Sequence, residues 1–185
     1  MTGVFVAIVG PSGAGKDTII ERAKAALADC DDIVFPRRII TRPTGEGEEC
    51  ISVTADDFAV AEDHGELAVS WRAHGLAYGI PVSARTTVAA GGVVVANVSR
   101  GVIAQLPDLF GESRVVRVTV SDEIRLARII ARGRETRDAA ATRVARADPA
   151  PEHPVDLEIV NDGTLDEACA QLVEFLHHVR AVVPR

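Results

Sequence analysis

Gly10-Pro11-Ser12-Gly13-Ala14-Gly15-Lys16-Asp17 is the stretch that decides how this chain folds. It follows the apolar run Val4-Phe5-Val6-Ala7-Ile8-Val9 and leads into the helix-like Thr18-Ile19-Ile20-Glu21-Arg22-Ala23. Strand, glycine loop and helix are the context that a phosphate-binding loop requires. Gly10 and Gly15 stand at the G-x-x-x-x-G-K spacing. Without a Cβ the backbone can curl until several N–H groups point inward at one anion. Gly13 relaxes the loop further, and the positive end of the following helix faces the same cavity. Gly10, Pro11, Ser12, Gly13, Ala14, Gly15, Lys16, Asp17 and Thr18 are thus the candidate cradle for a nucleoside triphosphate, with Lys16 placed to reach the outer phosphates.

Asp17 departs from the motif, which has a Ser or Thr hydroxyl after the lysine to touch Mg²⁺. A carboxylate is also a hard oxygen ligand for Mg²⁺, directly or through water. Equally, Asp17 is an acid in a first helical turn, where it favours the helix start and nothing more. The phosphate cradle survives under both readings.

The 185 residues are enough for one well-buried α/β domain with a small inserted lobe. Apolar residues make up 47% and charged ones 25%, the balance of a globular chain. Aromatics are only 4%, so Val, Ile, Leu and Ala must build the core. A net charge of −7 argues against a general nucleic-acid or membrane surface, so basic residues should gather where anionic ligands bind. Cys30, Cys50 and Cys169 are widely separated with no paired metal spacing, which suits free thiols in a reducing compartment. Met1-Thr2-Gly3 runs straight into the first strand, and no apolar run reaches membrane-spanning length. A cytoplasmic protein, monomer or homodimer, is expected, with no nucleic-acid or membrane partner.

Strands are expected over Val4 to Val9, Ile33 to Phe35, Val93 to Ala96, Arg114 to Val120 and Val155 to Val160. Between them the pattern predicts helices over Lys16 to Ala28, Ala84 to Ala90, Val102 to Leu106, Asp122 to Ala131, Ala139 to Ala147 and Leu165 to Val182. On the Asp122 helix Ile124, Ala127 and Ile130 should point inward; on the last, Leu165, Cys169, Leu172, Leu176 and Val179. Such alternation predicts a parallel sheet with helices on both faces. Residues 42–80 lack the apolar pattern of an independent core and read as an inserted lobe. It holds a helix capped by Thr54, then strands over Glu66 to Arg72 and Leu76 to Ile80 around His74-Gly75. Arg37, Arg38 and Arg42 crowd six residues and read as an anion site in so acidic a protein. Seven arginines lie between Arg125 and Arg146, some on a solvated helix face and two or three on a flap over the triphosphate.

These residues resemble the guanylate kinase-like enzymes. GPSGAGKD, the arginine-Thr41-Arg42 segment, Tyr78-Gly79, RGRE at Arg132 to Glu135 and NDG at Asn161 to Gly163 occur in that family's order over nearly the whole chain. Within it, the chain looks most like the ribose 1,5-bisphosphate phosphokinases of phosphonate breakdown. Lys16-Asp17, Ser70-Trp71 before His74-Gly75-Leu76 and Tyr78-Gly79, and Asn97-Val98-Ser99-Arg100 carry that likeness. True guanylate kinases have an arginine where Gly45 stands, an acid that helps read guanine where Asn97 stands, and Glu-Val where Ser70-Trp71 stand. Three changes around one pocket argue for another phosphorylated acceptor.

The resemblance implies a single P-loop NTPase-type α/β domain, with its core at about 1–41 and 81–185, an acceptor-binding lobe at about 42–80 and an arginine-bearing lid at about 132–140. It implies ATP and Mg²⁺ as cofactors and a small phosphorylated sugar as substrate, the products being ADP and 5-phospho-α-D-ribose 1-diphosphate. Arg128, Arg132 and Arg134 become lid candidates beside catalytic Lys16. Arg38, Arg42 and Arg100, with Asn97, become acceptor-binding candidates, where a guanidinium fork fits phosphate. Tyr78 would donate its hydroxyl to the acceptor or simply pack in the lobe; Asn161 would lie near the adenine or serve as a turn asparagine. A nucleoside monophosphate kinase, most naturally for GMP, is the rival reading. An inactive interaction module is a remoter one, because such modules tend to lose the phosphate loop that this chain keeps.

Overall fold

The computed structural model describes residues 3–43, 50–131, 141–142, 144–145 and 153–183. In chain order the elements are β1 (Val4–Val9), α1 (Lys16–Ala26), β2 (Ile33–Val34), β3 (Arg38–Ile40), β4 (Cys50–Ser52), α2 (Ala55–Asp63), β5 (Leu67–Ala73), β6 (Leu76–Pro81), α3 (Ser83–Ala89) and β7 (Val93–Asn97). A 3₁₀ turn (Arg100–Gln105) then runs into α4 (Leu106–Phe110), followed by β8 (Ser113–Thr119), α5 (Asp122–Ala131), β9 (Leu157–Val160) and α6 (Leu165–Val182).

All six side chains of β1 are buried, because β1 is the middle strand of a five-stranded parallel sheet in the order β2-β7-β1-β8-β9. A strand's side chains alternate between faces, so β1 feeds two cores. Val4, Val6 and Ile8 pack with Ile19 and Ala23 of α1 and with Leu172, Leu176 and Val179 of α6. Phe5, Ala7 and Val9 pack on the other face with Ala84 and Val88 of α3 and with Leu106 and Phe110 of α4, Phe5 stacking on Phe110 at 4.1 Å. The expected parallel sheet with helices on both faces is what the chain forms.

A second, mixed sheet has the order β4-β3-β6-β5. Its hairpin β5–β6 turns at His74 and Gly75, both with positive φ (53° and 75°), the handedness that matches strand twist. Thr54 caps α2 by accepting the Asp57 N–H at 3.0 Å. Two strands differ from expectation. Arg38–Ile40, read with the parent domain, pairs within the second sheet, and Cys50–Ser52 forms a strand where none was expected. Both are three-residue strands, too short to show an alternating pattern. Ala68, Val69 and Ile80 of this sheet enter the core cluster of Phe5, so the second sheet sits against the first by apolar packing.

Helix α5 has the expected bounds but turns a different face inward. Arg125 and Ile129 are buried, whereas Ala127 is exposed and Ile130 is 38% exposed. The physical reason is the phosphate loop: Arg125 and Ile129 lie against Gly13, and a Cβ there would stand 3.1 and 3.0 Å from their side chains. Helix α6 buries Ala168, Leu172, Leu176 and Val179, with Leu165 and Cys169 at the rim of the core.

Candidate active site

The loop after β1 takes the backbone shape that its glycines permit. Gly10, Gly13 and Gly15 have φ of 144°, 89° and 90°, values that side-chain-bearing residues rarely adopt. A Cβ on Gly10 would meet the Val118 carbonyl oxygen at 2.1 Å, and one on Gly15 would meet Asn161 Nδ2 at 2.5 Å. Helix α1 begins at Lys16, so the loop closes on its N-terminal end. Lys16 Nζ donates to the carbonyls of Gly10 (2.9 Å) and Pro11 (3.0 Å) and lies across the loop it belongs to.

Two side chains hydrogen-bond the loop, and a third bonds the backbone of one of them. Asn161, 2% exposed at the end of β9, donates Nδ2 to the Ala14 carbonyl at 2.8 Å. Its place in the turn was expected, but the side chain braces the loop. Arg125 donates Nε to the Ser12 carbonyl (2.8 Å) and Nη1 to the Val144 carbonyl (3.1 Å), with Asp122 at 3.7 Å. Sequence reasoning counted Arg125 only among the seven arginines. The one available signal was its place four residues before Ile129, on the face that the structure buries. Arg128 donates Nη2 to the Asn161 carbonyl at 3.2 Å, and its buried Nη1 has no hydrogen-bond partner among the described residues. That Nη1 lies 3.7 Å from the position of a Cβ on Gly15, so Arg128 stands beside the loop. Arg132 and Arg134, with the lid expected at about 132–140, lie outside the described residues.

In front of the loop a cleft opens between α1, β3 and the end of β7, lined by Asp17, Lys24, Phe35, Arg38, Cys50 and Asn97 over a floor of Val95 and Ala96. One oxygen organises its rim. Asp17 Oδ1 accepts from Asn97 Nδ2 at 2.7 Å and from Arg38 Nη2 at 2.9 Å. Arg38 and Asn97 are thus the acceptor candidates that line the cleft. Arg42, Tyr78 and Arg100 are not among its lining residues. Arg42 donates to the Pro43 carbonyl at 3.4 Å, Tyr78 stacks on Trp71 (centroids 5.5 Å apart, planes at 4°), and Arg100 opens the 3₁₀ turn capped by Ser99.

Farther along the second sheet, Glu62 of α2 accepts from Ser70 and from both Nη atoms of Arg72 (2.5 and 3.2 Å). The hydrogen bond from Arg72, and then that from Ser70, holds the Glu62 carboxyl below its ordinary pKa. Burial pushes the Cys169 thiol up, and all three cysteines are free. No helix among the described residues is long and apolar enough to cross a membrane.

The fold and the loop have relatives. The solved guanylate kinase of Anaplasma phagocytophilum superposes with a TM-score of 0.71 at 18% identity, covering 100% of this chain and 88% of that one, a likeness of fold. No protein-family model matches the chain. At the level of sequence it is 44% identical over 181 residues to the ribose 1,5-bisphosphate phosphokinase PhnN of Methylobacterium radiotolerans, covering 98% of this chain and 99% of that protein. It is 51% identical over 178 residues to the protein of the same name from Pseudofrankia inefficax, covering 94% of this chain and 90% of that one. Likeness of this degree, running from the phosphate loop to the last helix, means that the chain belongs to the PhnN family of ribose 1,5-bisphosphate phosphokinases.

Proposed function

We propose that the chain transfers the terminal phosphoryl group of ATP to α-D-ribose 1,5-bisphosphate, giving ADP and 5-phospho-α-D-ribose 1-diphosphate. The bond from the γ-phosphorus to the β–γ bridging oxygen breaks, and a bond from that phosphorus to a 1-phosphate oxygen of the acceptor forms. One observation carries the reading: Asp17, next after Lys16 in the phosphate loop, is hydrogen-bonded to Arg38 and Asn97 of the cleft. Donor and acceptor sites are therefore contiguous.

The residues fit a triphosphate, since Gly10, Gly13 and Gly15 give the loop the positive φ that lets its backbone curl ahead of α1, and Val118, Arg125 and Asn161 pack too closely on those glycines for any side chain to replace them. ATP as its Mg²⁺ complex supplies the phosphoryl group, and the metal offsets phosphate charge. Asp17 is the one carboxylate that the loop offers to Mg²⁺, directly or through water. The attacking oxygen belongs to a phosphate and is already anionic, so no side chain need act as a general base. Lys16, the loop amides and Arg128 neutralise the charge that spreads over the group in flight, with Arg132 and Arg134 as further candidates. Arg38 and Asn97 lead the acceptor set, and Arg42, Arg100 and Tyr78 are its outer candidates. A cytoplasmic location, where ATP is plentiful, accords with this chemistry.

GMP is the alternative acceptor that the fold brings to mind. A guanine needs buried acceptors for its N1–H and amino group, and each one missing costs about 1–3 kcal/mol. With Asn97 where guanylate kinases carry an acid, GMP should be the poorer substrate by roughly 10²-fold. The test is kcat/KM for ribose 1,5-bisphosphate and for GMP, followed by ADP release. Faster turnover of GMP would make the chain a divergent guanylate kinase.

A further inference from the structure

The residue after the loop lysine is a carboxylate, and its position in space is more telling than its place in the motif. Asp17 Oδ1 accepts two hydrogen bonds from two different parts of the molecule. Asn97 Nδ2, 2.7 Å away, comes from the end of β7 in the large sheet, and Arg38 Nη2, 2.9 Å away, comes from β3 in the small one. All three side chains line the same cleft. Asn97 is 8% exposed, so its amide is held in one orientation, with Nδ2 toward Asp17 and Oδ1 turned from it. The Arg38 side chain is 24% exposed and, of its five N–H donors, one is taken up by Asp17 among the described residues. A long arginine on a three-residue strand has many rotamers, and a charge-assisted bond at its tip removes most of them.

We propose that Asp17 is a positioning residue for the sugar-phosphate acceptor: it holds Arg38 and Asn97 so that the remaining guanidinium donors and the Asn97 carbonyl oxygen are set toward the cleft. The inference rests on the functional reading above and deepens it. Preorganisation is the physical content. A guanidinium already fixed at one Nη loses less freedom when its other donors take a phosphate. Two opposed effects are at work, because the Asp17 charge also repels an anionic acceptor. Arg38 offsets that charge at 2.9 Å, so the ion pair is locally neutral and the ordering effect prevails. The tether also explains why a serine would not serve: a hydroxyl oxygen in its place is shorter in reach and carries no charge to bind the guanidinium.

The test separates this role from metal contact. Acceptor binding is measured by calorimetry with ribose 1,5-bisphosphate, without nucleotide and in a chelator, where no Mg²⁺ effect can enter. Asp17→Ala and Asp17→Ser should weaken acceptor binding about tenfold or more, and Asp17→Asn, which keeps an oxygen acceptor, should weaken it less. In steady state the alanine variant should raise KM for the acceptor much more than KM for ATP. Unchanged or tighter acceptor binding by Asp17→Ala would overturn the proposal, as would a loss confined to the Mg²⁺ or ATP dependence. Circular dichroism of each variant establishes that it is folded. Failure of the functional reading itself shows separately, as an unmodified enzyme that does not bind or turn over ribose 1,5-bisphosphate.

Discussion

Lys16 gives its ammonium to two part-buried carbonyls of its own loop, which water can reach once it is gone, so its removal should cost chemistry far more than stability. Lys16→Ala is expected to lower kcat by about 10²-fold or more with only a small drop in melting temperature, the loss typical of one electrostatic contact made chiefly in the transition state. Near-full turnover would move the active site elsewhere. Arg125 is the opposite case. It is 8% exposed and joins Ser12 of the loop to Val144, so its removal strips two carbonyls of a charged donor. Arg125→Met should destabilise the protein by about 1–3 kcal/mol and weaken ATP binding, because Ser12 and Gly13 lose the side chain they rest on. Arg125→Lys should recover little of either, since one ammonium cannot span both carbonyls. Urea unfolding and ATP titration of the two variants decide this, and full recovery by lysine would refute the bridging role.

Helix α2 and strand β5 are joined at the level of elements by Glu62 with Ser70 and Arg72, the latter also lying over the Phe58 ring at 5.0 Å. The Glu62 carboxyl titrates below its ordinary range, first through Arg72 and then through Ser70. The unfolded chain therefore takes up the proton more readily than the folded one. The stabilisation is fully present above the ordinary carboxylate pKa and disappears as pH falls through the lower folded value. Melting temperatures of the protein and of Glu62→Gln should differ slightly at neutral pH, as befits a surface pair, and converge in acid. A gap that persists in acid would mean that the glutamine disturbs packing and that charge is not the cause. Ser70 donates to Glu62 and so ties β5 to α2.

At the scale of the whole molecule, the small sheet does not stand alone. Ile80 of β6 is fully buried and belongs with Ala68 and Val69 to the cluster that contains Phe5, Val94 and Leu106 of the main body. Ile80→Ala should destabilise by about 2–4 kcal/mol through lost burial and a cavity. Because the cluster is shared, thermal unfolding should remain one transition at lower temperature. Two resolved transitions would show the lobe to be an independent unit.

Contiguous residues were enough to read the strand, loop and helix from Val4 to Ala26, since glycine spacing, a buried apolar run and a helical period are local properties. The parallel sheet followed from the alternation of elements; Lys16 was recognisable as a site candidate from the loop spacing, Arg38 from the arginine cluster and Asn97 from the resemblance. The short strands β3 and β4 were not legible as partners, because three residues carry no period and their pairing is set by the sheet they join. Nor was the face of α5, which is chosen by what lies beneath it: Arg125 reaches Ser12 across 113 residues of sequence. Asn161 reaches Ala14 across 147, and Asp17 reaches Arg38 across 21 and Asn97 across 80. Sequence determined which residue types were available to bind phosphate. Only the order of the strands decided which of them meet, because hydrogen bonds between side chains form by distance in space, and the sheet sets that distance.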